Sequence, residues 1–389
     1  MRPRTFAAAA LACTAVAVSA AGCGGHSRRT HPGTGRLSIY TSLPFAGPYA
    51  ADAQAVFDGE QLALAQAGSR VNGSKVILRR LNDATAAGPT AALVAQSARA
   101  AAGDGTTIAY IGELTPGSSS ASIPTLSGAG ILQVSPGDSA TDLAGKTFAR
   151  VVPQDADEAD AQLAALKKLG VKTLYLLEDR TTHGRDLAAT VLQDAVSYGL
   201  GIANPLGRYG ANTRALVRAI KKSRASAVLY AGSPAPAVPT IWNAISAADP
   251  TLKKMASASI IDDPSWAQTT AAARENTYLS APGLLLHSLP RAGTQFVSDF
   301  AAAYGNRVPW ASGIFGYVAM SGVLEALHSL GPRPQNARSR VALAFLRLRD
   351  LPSALGTYSI VGGQTSFRAY VFSTYHRGVA APAYDSSLS

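Results

Sequence analysis

The residues of this chain that could do chemistry gather in three polar stretches: IGELTPGSSSAS (111–122), VSPGDSATDL (134–143) and LEDRTTHGRDL (177–187). In the first, Gly117, Ser118 and Ser119 sit where an apolar run gives way to a helical segment. Free backbone N–H groups and hydroxyls at such a place suit a carboxylate or another anion. The same residues, with Pro116 before them, also make an ordinary capped helix start. The second stretch offers Gly137, Asp138 and Ser139. Asp138 is either an acceptor for a ligand cation or a turn-forming acid after Pro136-Gly137. In the third, His183 is either a ligand contact or a helix cap. Asp52 opens another helical segment, where the helix dipole alone favours an acid.

None of these groups falls in a catalytic spacing. The chain carries no GxSxG, HExxH, P-loop or GxGxxG at a strand–helix turn, so no enzyme, metal site or cofactor is expected. Its two cysteines, Cys13 and Cys23, both lie in the first 23 residues. Disulfide scaffolds, Cys-ligated zinc and thiol catalysis are thereby excluded, and the core must hold by packing.

The elements that must position these loops alternate regularly. LSIYTSL (37–43), SKVILRRLND (74–83), TTIAYIG (106–112) and ILQVS (131–135) read as strands. So do VKTLYLLED (171–179), 201–207 and ASAVLYAG (225–232). Helical periods fill the segments between them, over 50–67, 89–102, 117–128, 156–169, 184–198, 212–223 and 236–248. Repeated β-α-β of these lengths implies parallel sheets covered by helices on both faces, with right-handed crossovers. So many strands exceed one open sheet, and 389 residues suffice for two α/β lobes. Helices over 291–304, 311–330 and 335–349 follow, and alternation in 356–374 predicts a terminal antiparallel pair. In such folds ligands sit at the carboxyl ends of strands, which is where the three polar stretches fall.

The N-terminus reads as an address. Arg2 and Arg4 precede an apolar, Ala-rich run from Phe6 to Ala21, ending in Ala20-Ala21-Gly22-Cys23. This is the pattern of a secretory signal over residues 1–22, too short and too Ala-rich for a spanning helix. Small residues before Cys23 resemble a bacterial lipobox, with Ala20 where Leu is usual. Cys23 is therefore expected to carry lipid, with 24–36 as a flexible tether. Loss of Arg2 and Arg4 lowers the formal charge from +11 to +9. The remaining basic residues form no stripe interleaved with aromatics, so no nucleic-acid partner is expected.

From Leu37 onward the ordered set of segments resembles the branched-chain amino-acid-binding proteins of ABC transporters. It comprises GPYAADAQAVFDGEQLALAQA, VNGSKVILRRLND, the first two polar stretches, FARVVPQDADEADAQLAALKKLGVKTLYLLEDRTTHGRDLA and SAVLYAGSPAPA. The resemblance implies a type I periplasmic-binding fold. Its two lobes would comprise 37–152 with 281–352 and 153–280 with 353–389. Three crossovers would join them, near Val151–Gln154, Leu279–Gly283 and Leu351–Gly356. It implies a monomer that closes on a small amino-acid-like or carboxylate-bearing ligand and delivers it to ABC permease subunits. A membrane-receptor sensor and an envelope lipoprotein that has lost its ligand remain alternatives.

The family's pocket carries over unevenly. Gly117, Ser118 and Ser119 would hold the ligand carboxylate, with Pro116 at the usual hydroxyl position. Gly137 and Ser139 match the family's second loop. His183 and Ser233 stand where pocket aromatics are usual, and Asp52 aligns with a pocket tyrosine. The acid that receives the ligand ammonium falls near Ala258 and is absent, leaving Asp138 or Asp52 to replace it.

Overall fold

In the computed structural model, the described residues are 35–203, 207–208, 212–305, 310–332, 334–376 and 379–385. The expected leader, Cys23 and the expected tether up to residue 34 lie outside them, while Arg36, expected to end the tether, opens the first strand. Two sheets organise the chain. The first runs Arg70–Val71, Ser74–Asn82, Arg36–Leu43, Thr107–Ile111, Leu132–Ser135, Phe148–Arg150, parallel throughout except at the Arg70–Val71 edge. The second runs Gly201–Ile202, Thr173–Glu178, Ala227–Ala231, Lys253–Ser257, Thr277–Pro282 in parallel. Tyr370–His376 and Val379–Asp385 extend it antiparallel.

The central strands are short apolar runs buried on both faces, as parallel sheets require. Every residue of Thr107–Ile111 and of Ala227–Ala231 is buried. Helices Arg291–Tyr304, Trp310–His328 and Ala337–Leu346 complete the first lobe through Phe296, Phe300, Val323, Val341 and Phe345. The second sheet has a core on each side, one around Leu163, Leu176 and Val191, the other around Trp242, Ile245 and Trp266. No helix among the described residues is long and apolar enough to cross a membrane.

Helices Ala50–Gln66 and Trp310–His328 touch backbone to backbone. A Cβ at Gly59 would lie 2.0 Å from the Gly313 carbonyl oxygen, and one at Gly316 2.1 Å from that of Val56. Glycine is required here by space, and the close approach brings Asp52 against Ser312, whose hydroxyl donates to its carboxylate at 2.6 Å.

The structure departs from the sequence reading in four places. Strands Phe148–Arg150, Lys253–Ser257 and Thr277–Pro282 were not anticipated, the latter two carrying Lys254, Ser257, Thr277 and Ser280 on buried positions. The expected helix 117–128 is a 3₁₀ turn, Ser118–Ala121, followed by Ile123–Gly128, with Gly117 at φ +85° before them. The alternation in 356–374 is not one pair. It forms two small hairpins, Leu351–Ser353 with Gly356–Tyr358 and Ile360–Val361 with Gln364–Thr365, and then the strand Tyr370–His376. Leu355, Tyr358 and Ile360 pack into the first core, so residues 353–365 belong to the first lobe and the third passage follows Thr365 rather than lying at Leu351–Gly356.

Candidate functional site

Between the two lobes lies a cleft of about 220 Å³. Asp52, Leu114, Thr115, Gly137 and Ser139 line it from one side, and Glu158, His183, Ser233, Ser257 and Ser280 from the other. Both sides are built from carboxyl ends of strands, the loops after them and the first turns of helices, Asp52, Glu158 and His183 standing on the last. The walls already touch: the Thr141 amide donates to Asp186 at 2.9 Å, and a Cβ at Gly117 would sit 3.1 Å from the Thr182 side chain.

The first-lobe wall is organised by Asp138, which is fully buried. Its carboxylate accepts the Gly117 amide at 2.6 Å, the Ser119 amide at 2.7 Å and the Ala140 amide at 3.3 Å. Ser135 braces the same loop, accepting from the amides of Gly137 and Asp138 while donating to the Glu113 carbonyl. Burial raises the Asp138 carboxyl, with the Ser119 and Gly117 amides working against it. Two expectations are thereby corrected. Gly117 and Ser119 do not present free donors, because the chain's own carboxylate fills the nest they form. Asp138 is not an acceptor facing the cleft, because its oxygens point into the loop. Ser118 is also engaged, its amide on the Thr115 carbonyl and its hydroxyl 2.6 Å from that of Thr115.

On the second-lobe wall, Asp179 does related work. It accepts the amides of Thr181 at 2.9 Å and Ser233 at 2.7 Å, fixing the loop before helix Thr182–Asp194 against the next strand end. Thr181 caps that helix through the Gly184 amide at 3.0 Å. His183 is therefore not the cap. It is the second residue of the helix, 6% exposed, at the cleft. Its Nδ1 lies 2.8 Å from Asp155 Oδ1 and its Nε2 2.9 Å from Ser257 Oγ, with Glu158 Oε2 at 4.0 Å. Burial disfavours the imidazolium, but Asp155 and Glu158 outweigh it and raise the pKa to about 9.

Glu158 is a cleft residue that sequence reasoning missed, as are Thr115, Ser257 and Ser280. Burial raises its carboxyl, partly offset by His183. Its Oε1 accepts from Ser257 at 2.7 Å, Ser280 at 2.6 Å and Gln162 at 3.2 Å. In sequence it is one acid among four in DADEAD, where a helix start accounts for all of them. The discriminating signal lies in Ser257 and Ser280, on the two strands the sequence reading left unassigned.

Ser257, His183 and Asp155 share the connectivity of a serine hydrolase triad, without its protonation. An imidazolium between two carboxylates cannot take the serine proton, and Ser257 donates to Glu158 instead. Ligand atoms of Asp155, Glu158 and His183 also lie within 4.8 Å of one another, a set able to hold a divalent metal. The hydrogen bonds on both ring nitrogens account for the cluster as an ion pair. Of the remaining expected site residues, Gly137, Ser139, Ser233 and Asp52 all line the cleft, as does Ala258 at the position of the absent acid.

The chain matches the periplasmic binding protein family over residues 41–374. No curated protein matches it. Among solved structures it is similar to a leucine-binding protein, LivK, of Thermotoga maritima: 20% identity, TM-score 0.76, covering 90% of this chain and 98% of that one. LivJ of Streptococcus pneumoniae, a branched-chain amino-acid transporter binding protein solved with isoleucine, gives 16% identity and TM-score 0.72 over 90% and 99%. An ABC transporter solute-binding protein of R. palustris, solved with benzoate, gives 14% and 0.71 over 90% and 96%. At these identities the likeness is one of fold, two parallel-dominated α/β lobes of the type I periplasmic-binding kind. The match along residues 41–374 makes this chain a member of the periplasmic binding protein family.

Proposed function

We propose that the protein is an extracytoplasmic solute receptor that captures a small molecule in the interlobe cleft and hands it to an ABC permease. The observation that carries this reading is the cleft itself, walled by strand ends of both sheets. At about 220 Å³ it lies below the roughly 300–1,000 Å³ of drug-sized sites, so it suits a small solute. The mechanism is binding and closure with no bond chemistry. Ligand shifts an open–closed equilibrium by its differential affinity for the two states. Gly137 and Ser139 on one wall and His183, Glu158 and Ser233 on the other approach the solute as the passages near Val151–Gln154, after Pro282 (the strand Thr277–Pro282 carrying the expected Leu279–Gly283 crossover into the second sheet) and after Thr365 flex. The leader would direct export, and a diacylated Cys23 would hold the domain at the membrane through the tether that ends where the strand Arg36–Leu43 begins.

The test is thermal unfolding of the Cys23→Ser chain, stripped of carried-over ligand, against amino acids, amides, amines, short peptides, carboxylates and aromatic acids. A true ligand at 100 times its Kd stabilises by about 2.7 kcal/mol. Stabilisation lost in the Gly137→Pro/Ser139→Ala double variant supports capture in this cleft. Silence across the panel contradicts it.

A further inference from the structure

Resting on the solute-receptor reading, we infer that the ligand is a small apolar ammonium cation without a carboxylate, its amine held by Glu158 Oε2 with Asp52 facing it across the cleft. Three observations converge on this assignment. First, among the described residues the lining contains no Lys or Arg. Its cationic side chain, His183, has both ring nitrogens engaged by Asp155 and Ser257. The guanidinium of Arg150 is fully buried away from the lining, donates to the Asp138 carbonyl at 2.9 Å, and has Asp138, Asp155, Asp157 and Asp186 around it. Second, the amides that would cradle a ligand carboxylate at the first loop are filled by Asp138. An anionic ligand would enter without a countercharge, and burying an unpaired charge is costly.

Third, the acceptor side is open. Glu158 is only 5% exposed, and its Oε1 is saturated by three donors. Its Oε2 makes no hydrogen bond among the described residues, the His183 nitrogen at 4.0 Å being too far. A buried carboxylate oxygen at a cleft wall is the partner a desolvated ammonium requires. Asp155 is shared between the His183 imidazolium and the Arg150 guanidinium, Glu158 adds a second carboxylate beside His183, and Asp52 supplies another from the opposite lobe, bonded to Ser312. The apolar part of the lining, Val56, Leu114, Pro136, Val152, Pro282 and Phe315, suits a hydrocarbon body.

The experiment is calorimetric titration of the Cys23→Ser chain with a matched pair, 3-methylbutylamine and 3-methylbutanoate, and with leucine, which carries both groups. The amine binds at least tenfold more tightly than the acid, leucine gains nothing over the amine, and Glu158→Gln, which keeps an acceptor for Ser257 and Ser280, weakens the amine roughly tenfold to hundredfold. Acid binding equal to or tighter than amine, or leucine tighter than both, overturns the assignment while leaving solute capture intact. Amine affinity unchanged in Glu158→Gln also overturns it. No heat from these three, with stabilisation by another member of the unfolding panel, overturns the amine and keeps the receptor. Silence in both experiments removes the two together.

Discussion

The two lobes settle the same local problem with the same residue type. Each must tie a loop after one strand to a neighbouring loop, and each uses an aspartate that accepts backbone amides. In the first lobe Asp138 is sealed inside, binds three amides and occupies the nest itself. In the second, Asp179 is half-buried, takes two amides, and leaves the charged work to Asp155, Glu158 and His183 behind it. The consequence is a cleft with one pre-stiffened wall, where Asp138 is spent inside its loop and Asp52 is the acid at the lining, and one wall carrying the Asp155, Glu158 and His183 cluster. Where a carboxylate sits, in the loop or at the cleft, decides which ligands the lobe can meet.

The comparison breaks most visibly at His183. His183→Ala leaves Asp155 and Glu158 buried together without their cation, an expected loss of about 3–5 kcal/mol in chemical denaturation. A loss below 1 kcal/mol would mean the charged wall does not depend on the ring.

Alkaline pH probes the same contact without mutation. The His183 pKa is raised from 6.5 to about 9 on folding. Its contribution is complete below the unfolded value, declines as pH rises through that window, and is gone above the folded pKa. The loss is on the order of 3 kcal/mol. Lys254 opposes it. Its ammonium is buried with the Leu252 and Glu275 carbonyls as its acceptors among the described residues, and burial lowers its pKa to about 8. Folding therefore becomes less unfavourable for Lys254 as pH rises above that value. The difference between wild type and His183→Gln isolates the histidine, and identical slopes between pH 6.5 and 9 would contradict the ion pair.

Asp138→Ala should cost about 2–3 kcal/mol, since buried amides lose their acceptor. It also vacates the nest, so 3-methylbutanoate should stabilise the variant more than the wild type. Equal stabilisation would show that the filled nest is not what excludes anions. The smallest effect is expected at Asp179→Ala, about 1 kcal/mol, because water reaches a half-buried loop. A larger loss there than at Asp138 reverses the comparison.

The fold was legible because parallel α/β architecture writes itself as apolar runs alternating with helical periods. The strands that escaped, Lys253–Ser257 and Thr277–Pro282, mix Lys, Ser and Thr into buried positions whose partners are distant in sequence. The site was legible only as loops. Gly137, Ser139, His183, Ser233 and Asp52 do reach one cleft. The state of each group was not readable, because it depends on pairs such as Gly117–Asp138 and Glu158–Ser280, 21 and 122 residues apart. For Asp138 the turn-forming reading was the better half, and for Glu158 a helix-start acid concealed a cleft residue.

The central claim, capture by closure between lobes, is tested most directly by one distance. Spin labels at Ser197→Cys in the second lobe and Glu325→Cys in the first, with Cys13 and Cys23 replaced by serine, report the separation of the two bodies. Saturation with whichever solute stabilises the chain should narrow the distribution and change the mean distance. The Gly137→Pro/Ser139→Ala variant should keep the ligand-free distribution under the same solute. A solute that binds the wild type tightly and leaves the interlobe distance unmoved would contradict the account.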